Sequence, residues 1–214
     1  MNSKNKILIW ILIVAIILLG SPPLFIFGIF ALLYLGKERI SPFLNKLNLS
    51  LKAKFLLLGI SFGLFTEILA IIDNLEKPPE ERILFHPDPA IDFLMGIGFY
   101  SFIAILWWLC LKRFQFRVRE VFLVGGAWGI TVEQTGAILT SIFTQGISGL
   151  IAWFYVLCVY GSFMAIPYLL LEHDFSVFQR KNRVLKYLVA FLGLYLAFGL
   201  SILWMIAITL LVRG

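Results

Sequence analysis

Only two charged side chains lie deep inside the hydrophobic segments of this 214-residue chain, Glu67 and Glu133. Each closes a trio spaced four residues apart: Gly59, Gly63 and Glu67, then Gly125, Gly129 and Glu133. An acid within a membrane helix is costly to bury, and such residues mark sites of function. Two acids sharing a low-dielectric site do not both ionise. One protonated and one ionised carboxyl then form a general acid/base pair. The same pair could instead bind a cation or carry a proton. A structural alternative is that they only lock helices together, through hydrogen bonds to backbone or to Thr66, Thr131, Gln134 and Thr135.

Residues four apart share a helical face. Glycines at that spacing let a second helix backbone approach closely. Gly59, Gly63, Gly125 and Gly129 are therefore helix-packing candidates, and each glutamate faces protein rather than lipid. The two stripes are free to face one another. At 1.5 Å per residue, each glutamate lies about 18 Å from the start of its helix.

Other polar residues gather near the pair. Asp73 and Asn74 follow Glu67 by about 9 Å of helix. His86 and Asp88 lie in Phe85-His86-Pro87-Asp88-Pro89, where the prolines restrict the backbone around both side chains. Asp73, His86 and Asp88 are expected to form a mouth over the glutamates. Asp92 reads as a solvated helix N-cap. Tyr100, Gln134 and Tyr160 are candidate hydrogen-bonding partners for the acids or a ligand. His173, between Glu172 and Asp174, falls in the opposite loop. These Asp, Glu and His spacings fit no metal-binding motif, so no metal is assigned. Nucleophile-elbow, zincin, P-loop and dinucleotide motifs are absent, and the sequence names no cofactor. Pro78-Pro79-Glu80-Glu81 resembles the short P-x-E-E signature of small membrane lycopene cyclases over those residues only, and no roles are carried over from it.

The elements that must position these residues are membrane helices. Hydrophobic residues make up 61% of the chain and charged residues 14%, against about half and a quarter in a soluble domain. The expected fold is all-α: one integral domain over 1–214, a polytopic bundle of about six spans. Crossing a bilayer takes about 20 apolar residues. Segments 55–73, 93–111, 121–143, 148–171 and 187–212 meet this. A sixth, 7–36, is interrupted by Gly20-Ser21-Pro22-Pro23 and reads as one kinked helix, or else a re-entrant hairpin. A cleaved signal peptide is disfavoured, because Leu18 and Gly20 before Ser21 make a poor cleavage site. Cys110 and Cys158 read as small buried hydrophobes. Trp107 and Trp108 read as an interfacial belt.

Basic residues concentrate in loops 37–54, 112–120 and 172–186, which the positive-inside rule makes cytoplasmic. Lys4 and Lys6 pull the N-terminus the same way. The net charge of +6 is spread over these short clusters. It therefore reads as topology signal and contact with lipid headgroups, not as nucleic-acid binding. Loop 73–92 is acidic, proline-rich and on the outer side. The setting is a plasma or inner membrane.

Aligning 55–72 with 121–138 superposes both trios, along with Leu57 on Leu123 and Ile72 on Ile138. The following helices match in Ser101-Phe102-Ile103-Ala104-Ile105 and Ser162-Phe163-Met164-Ala165-Ile166. The chain therefore reads as a duplicated two-helix hairpin, 55–111 and 121–171. The copies run in parallel about an axis along the membrane normal. The expected function is an enzyme or binder acting on a lipid or isoprenoid-like substrate from the outer half of the bilayer. The rival readings are a proton- or cation-coupled transporter or channel, and a non-catalytic assembly subunit. Membrane lipids and a hydrophobic small molecule are the expected partners; the oligomeric state is left open.

Overall fold

The computed structural model describes residues 21–175 and 184–213, and every regular element among them is helical. The helices are α1 (Phe25–Asn45), α2 (Leu51–Asn74), α3 (Pro89–Arg113), α4 (Val118–Val132), α5 (Ala137–Gln145), α6 (Ile147–Phe175) and α7 (Leu185–Arg213). Four of them, α2, α3, α6 and α7, are long and apolar enough to cross a membrane. Residues 7–20 of the first expected span lie outside the described residues, as do Lys4, Lys6, Arg180, Lys181 and Arg183. The chain enters α1 through a single 3-10 turn, Pro22–Leu24, after an extended Ser21. Proline suits that position because a first helical turn needs no N–H from it.

Local signals set the helix starts. The Ser50 hydroxyl accepts from the Ala53 amide at 3.2 Å and caps α2. Asp88 caps α3, its Oδ1 accepting from Ala90 at 2.8 Å and Ile91 at 3.2 Å, with Pro89 as the first helical residue. At α4, the Glu120 carboxylate accepts the Arg117 amide at 2.7 Å. Two expected loops shorten. Helix α1 carries Lys37 and Arg39 onward to Asn45, leaving only 46–50 to join α2, because long basic side chains can snorkel from a continuing helix. Helix α6 likewise continues to Phe175.

Helix α6 is the centre of the bundle. Residues 161–171 are buried, and α6 packs against α1, α2, α4 and α5. A helix apolar on all sides is one that is buried all round. Helix α7 leans on α3 and touches α4, leaving a broad apolar face outward. Lipid is as apolar as leucine, so close packing and interhelical hydrogen bonds must hold such helices together. The bonds are present. The Ser41 hydroxyl donates to Leu170 O at 2.9 Å, Tyr168 to Phe116 O at 2.6 Å, and the Trp204 ring N–H to Leu94 O at 3.0 Å. At the end of the bundle holding the basic clusters, Lys37 meets Glu172 at 3.3 Å and Lys186 meets Glu120 at 2.6 Å. Trp107 is not part of an interfacial belt: it is buried in the core against Phe116, with Trp108 packing on Phe55 and Phe175. Cys110 and Cys158 are buried free thiols.

The expected continuous helix over 121–143 is broken. Helix α4 stops at Val132, and α5 begins at Ala137. Between them Gln134 and Thr135 take left-handed backbone angles, φ 49° and 56°, and Gly136 has φ 89°. Left-handed backbone costs roughly 1–2 kcal/mol per non-glycine residue, so the surroundings must hold this turn in place. Gly136 adopts the conformation without that penalty.

Candidate functional site

A cavity of about 610 Å³ opens at the end of the bundle that carries loop 75–88. Its walls come from the C-terminal half of α2, the start of α6, the far half of α7 and the broken segment between α4 and α5. The lining is mostly aliphatic and aromatic, with a few polar side chains set into it. A volume of roughly 300–1,000 Å³ with that character is typical of small-molecule sites.

Both glutamates line this one cavity. Their surroundings follow a shared plan. Tyr100, on α3, donates its hydroxyl to Glu67 Oε2 at 2.7 Å. Tyr160, on α6, donates to Glu133 Oε2 at 2.5 Å. The glycine one turn before each acid makes room for the tyrosine. A Cβ on Gly63 would fall on the Tyr100 ring, and a Cβ on Gly129 on the Tyr160 ring. Gly59 lies against Ala104, and Gly125 against Met164. The glycine stripes therefore do not face one another. Each faces the helix that bears its tyrosine, because the close approach brings the hydroxyl to the acid. Phe163 stands between the two tyrosines, its ring 5.2 Å from Tyr100 and 5.6 Å from Tyr160.

The two acids differ in what else they meet. Glu67 is buried, inside an unbroken helix. Glu133 is half-buried, at the end of α4, where the helix breaks. Irregular backbone within an apolar bundle is tolerated where it is enclosed by protein or lines a cavity, and residues 133–135 line this one. None of the four side chains expected to lock the acids bonds to them. Thr66 donates to Phe62 O, Thr131 to Trp128 O and Thr135 to Gln134 O, and Gln134 lines the cavity.

The expected mouth is assembled only in part. Asp73 lines the cavity and pairs with Lys77 at 3.6 Å. Asn74 ties the same rim, accepting from Lys77 at 3.1 Å and from the Ile83 amide at 3.0 Å. His86 and Asp88 do not line it. Asp88 is occupied in capping α3, and His86 Nδ1 accepts the Asp88 amide at 3.0 Å. The Pro79–Glu81 segment forms an exposed 3-10 turn outside the lining.

Asp92 departs furthest from expectation. It is not the solvated N-cap; Asp88 takes that role, and Asp92 turns inward with no exposed surface. Its Oδ1 accepts the His86 amide at 3.1 Å. Its carboxyl lies within hydrogen-bonding reach of Glu67. Two sequence signals mark this arrangement. Asp88-Pro89 is a cap followed by a first-turn proline, which starts the helix before Asp92. Asp92, Gly96 and Tyr100 then run four apart, forming the stripe on α3 that meets Gly63 and Glu67 on α2. Among the described residues, no group of three or more His, Cys, Asp or Glu side chains is arranged to hold a metal ion.

Every regular element among the described residues is helical, four helices are long and apolar enough to cross a membrane, as fits a membrane protein, and the bundle holds a cavity bearing two tyrosine-bound glutamates. No protein-family model, curated protein or solved structure matches it. The chemistry of the cavity therefore carries the functional argument.

Proposed function

We propose that the protein holds an apolar, lipid- or isoprenoid-like molecule in this cavity and acts on it with Glu67 and Glu133 as a proton-transferring pair. The observation that carries the reading is that both acids open onto one mostly apolar chamber of about 610 Å³. A general acid or base must come within about 3 Å of the atom it serves. Each carboxyl here is oriented by a tyrosine hydroxyl on the neighbouring helix. The apolar walls supply affinity, and the few polar groups fix orientation.

In this reading α2–α3 and α4–α6 are two copies of one hairpin. The matched contacts support it: glycine against tyrosine ring, and tyrosine hydroxyl to glutamate, in both. Loops 37–54, 112–120 and 172–186 face the cytoplasm, and the chamber opens in the outer half of the membrane. The clustering of Lys37–Glu172 and Lys186–Glu120 away from the cavity agrees with that orientation.

The test uses the purified protein. Organic extracts of wild type, Glu67→Gln and Glu133→Gln are compared by mass spectrometry, before and after incubation with membrane lipid extract. Wild type is expected to retain or convert an apolar compound, and each variant to lose that while remaining monodisperse. Unchanged retention and conversion in both variants would defeat the reading.

The broken helix at 133–136 favours a second reading, since discontinuous helices build the ion and substrate sites of many transporters. The packing beneath the cavity supports the first reading instead. There Phe55, Ile103, Trp107, Phe163 and Met164 line a space of only about 10 Å³, at the lower limit for one water. A glutamate-dependent proton or cation flux in liposomes would decide for the transporter.

A further inference from the structure

The two glutamates have unequal surroundings, because a third acid, Asp92, lies beside Glu67 alone. Asp92 is wholly buried, and its Oδ2 has no hydrogen-bond donor. Glu67 is 4% exposed and lies within hydrogen-bonding reach of that carboxyl. Two buried carboxylates in contact, with no donor between them, would leave an unsatisfied anion at heavy cost. One shared proton satisfies both: one carboxyl donates and the other accepts.

Several contacts decide which carboxyl carries it. Asp92 sits in the first turn of α3, where the helix dipole favours an anion. The His86 amide donates to its Oδ1. Glu67 lies in the C-terminal half of α2, where the dipole gives no such help. Tyr100 donates to Glu67 Oε2, a bond that the carbonyl oxygen of a protonated carboxyl accepts equally well. With the proton on the other Glu67 oxygen and directed at Asp92 Oδ2, every polar atom of the trio is satisfied. Gly96 makes the approach possible, since a Cβ there would stand 3.2 Å from Glu67 Cγ. Glu133 has Tyr160 as its hydrogen-bond partner and lines the same chamber as Glu67.

We propose that Asp92 is a positioning residue that keeps the Glu67 carboxyl protonated, making Glu67 the proton donor of the cavity and Glu133 the proton acceptor. The donor and acceptor roles rest on the functional reading above; the protonation pattern does not. In one cycle Glu67 gives its proton to the occupant while Glu133 takes one from it. Glu133 then gives up its proton and the Glu67–Asp92 pair regains one, directly or through solvent, so protons balance without a cofactor.

The test is infrared spectroscopy of the purified protein in lipid nanodiscs at neutral pH, in H₂O and D₂O. Wild type is expected to show a deuterium-sensitive protonated-carboxyl band. Glu67→Gln should abolish it and Glu133→Gln should leave it. Asp92→Asn should also abolish it, because the new amide donates to Glu67 and stabilises its ionised form. If Asp92→Asn does not yield monodisperse protein, Gly96→Ala takes its place. Its methyl group pushes Glu67 away from Asp92 and must shift the band. Tyr100→Phe should raise the band frequency by removing the donor to the carbonyl. No such band in wild type, a band that survives Asp92→Asn or is unmoved by Gly96→Ala, or a band lost in Glu133→Gln alone, each overturns the assignment. The infrared result does not depend on any occupant, so it stands or falls separately from the failure of the functional reading.

Discussion

Gly63→Ala probes the contact that holds Tyr100 on Glu67. The added methyl carbon would overlap the Tyr100 ring, and even Tyr100 Cβ stands only 2.7 Å from it. Both residues lie on helix backbones already in contact, so relief requires α2 and α3 to separate or the tyrosine to leave its place. Overpacking of this kind costs about 1–3 kcal/mol. Displacing the tyrosine also removes its hydrogen bond to Glu67, a bond worth about 1–2 kcal/mol between membrane helices. The total expected loss is about 2–5 kcal/mol.

A thermodynamic cycle separates that clash from any general intolerance of α2 to change. The partner substitution is Tyr100→Gly rather than alanine, because the Cβ is itself part of the obstruction. In the Tyr100→Gly background the three atoms closest to the added methyl are gone, and Gly63→Ala should cost less than about 0.5 kcal/mol, the usual scale for a substitution that meets no special feature. The coupling energy should therefore be about 2 kcal/mol or more, outside the few tenths expected of independent sites. Gly28→Ala is the control: its Cβ would meet nothing within 4 Å. Stability is read by unfolding in detergent followed by tryptophan fluorescence, with extracted protein kept monodisperse. Additive effects of Gly63→Ala and Tyr100→Gly would refute the packing argument, and so would a Gly28→Ala loss as large as that of Gly63→Ala.

Two further predictions follow from other parts of the fold. Burial works against ionisation of Glu120, but hydrogen bonds from Lys186, Tyr187 and the Arg117 amide outweigh it and hold its carboxyl below the usual range. Its contribution is then fully present above the unfolded value of about 4.3 and lost as pH falls through the lower folded value. The stability difference between wild type and Glu120→Gln, measured from pH 7 down to pH 3, should shrink with acid; a constant difference would contradict this. Gln134→Gly removes a side chain from left-handed backbone at φ 49° and should stabilise the fold by about 1 kcal/mol. A clear loss on the same unfolding assay would show that the Gln134 side chain, rather than its backbone, holds the break.

Much of this was legible in the sequence, and the failures have physical causes. The helix ends were readable because caps and prolines are local: Ser50 before α2 and Pro89 opening α3 act within one turn. The glycine–glutamate frames were readable because a four-residue period survives any tertiary context. What each stripe would meet was not, since contact between helices depends on packing that no local pattern specifies. The sequence marks Tyr100 and Tyr160 only as candidates, although the structure gives each the same relation to its glycine and glutamate. The stripe Asp92–Gly96–Tyr100 was present in the sequence all along. It was hidden by reading Asp92 as a cap, when Asp88 and Pro89 already supplied one.

The break after Glu133 has the sharpest consequence. Read as the copy of an intact helix, 121–143 hides the turn at Glu133-Gln134-Thr135-Gly136, because only Gly136 in it has the sequence character of a helix stop. Glu67 and Glu133 each have their own glycine and tyrosine and line one cavity, yet one continues an α-helix and the other ends one. An intact helix keeps the first acid enclosed, next to Asp92. An interrupted helix brings the second acid to the edge of the chamber, beside exposed Gln134 and Thr135. Two identical units would place two acids in equivalent surroundings, and a proton would have no preferred direction between them. The helix break beside Glu133 and the buried Asp92 beside Glu67 make their surroundings unequal, and the proposed directional proton transfer requires that inequality.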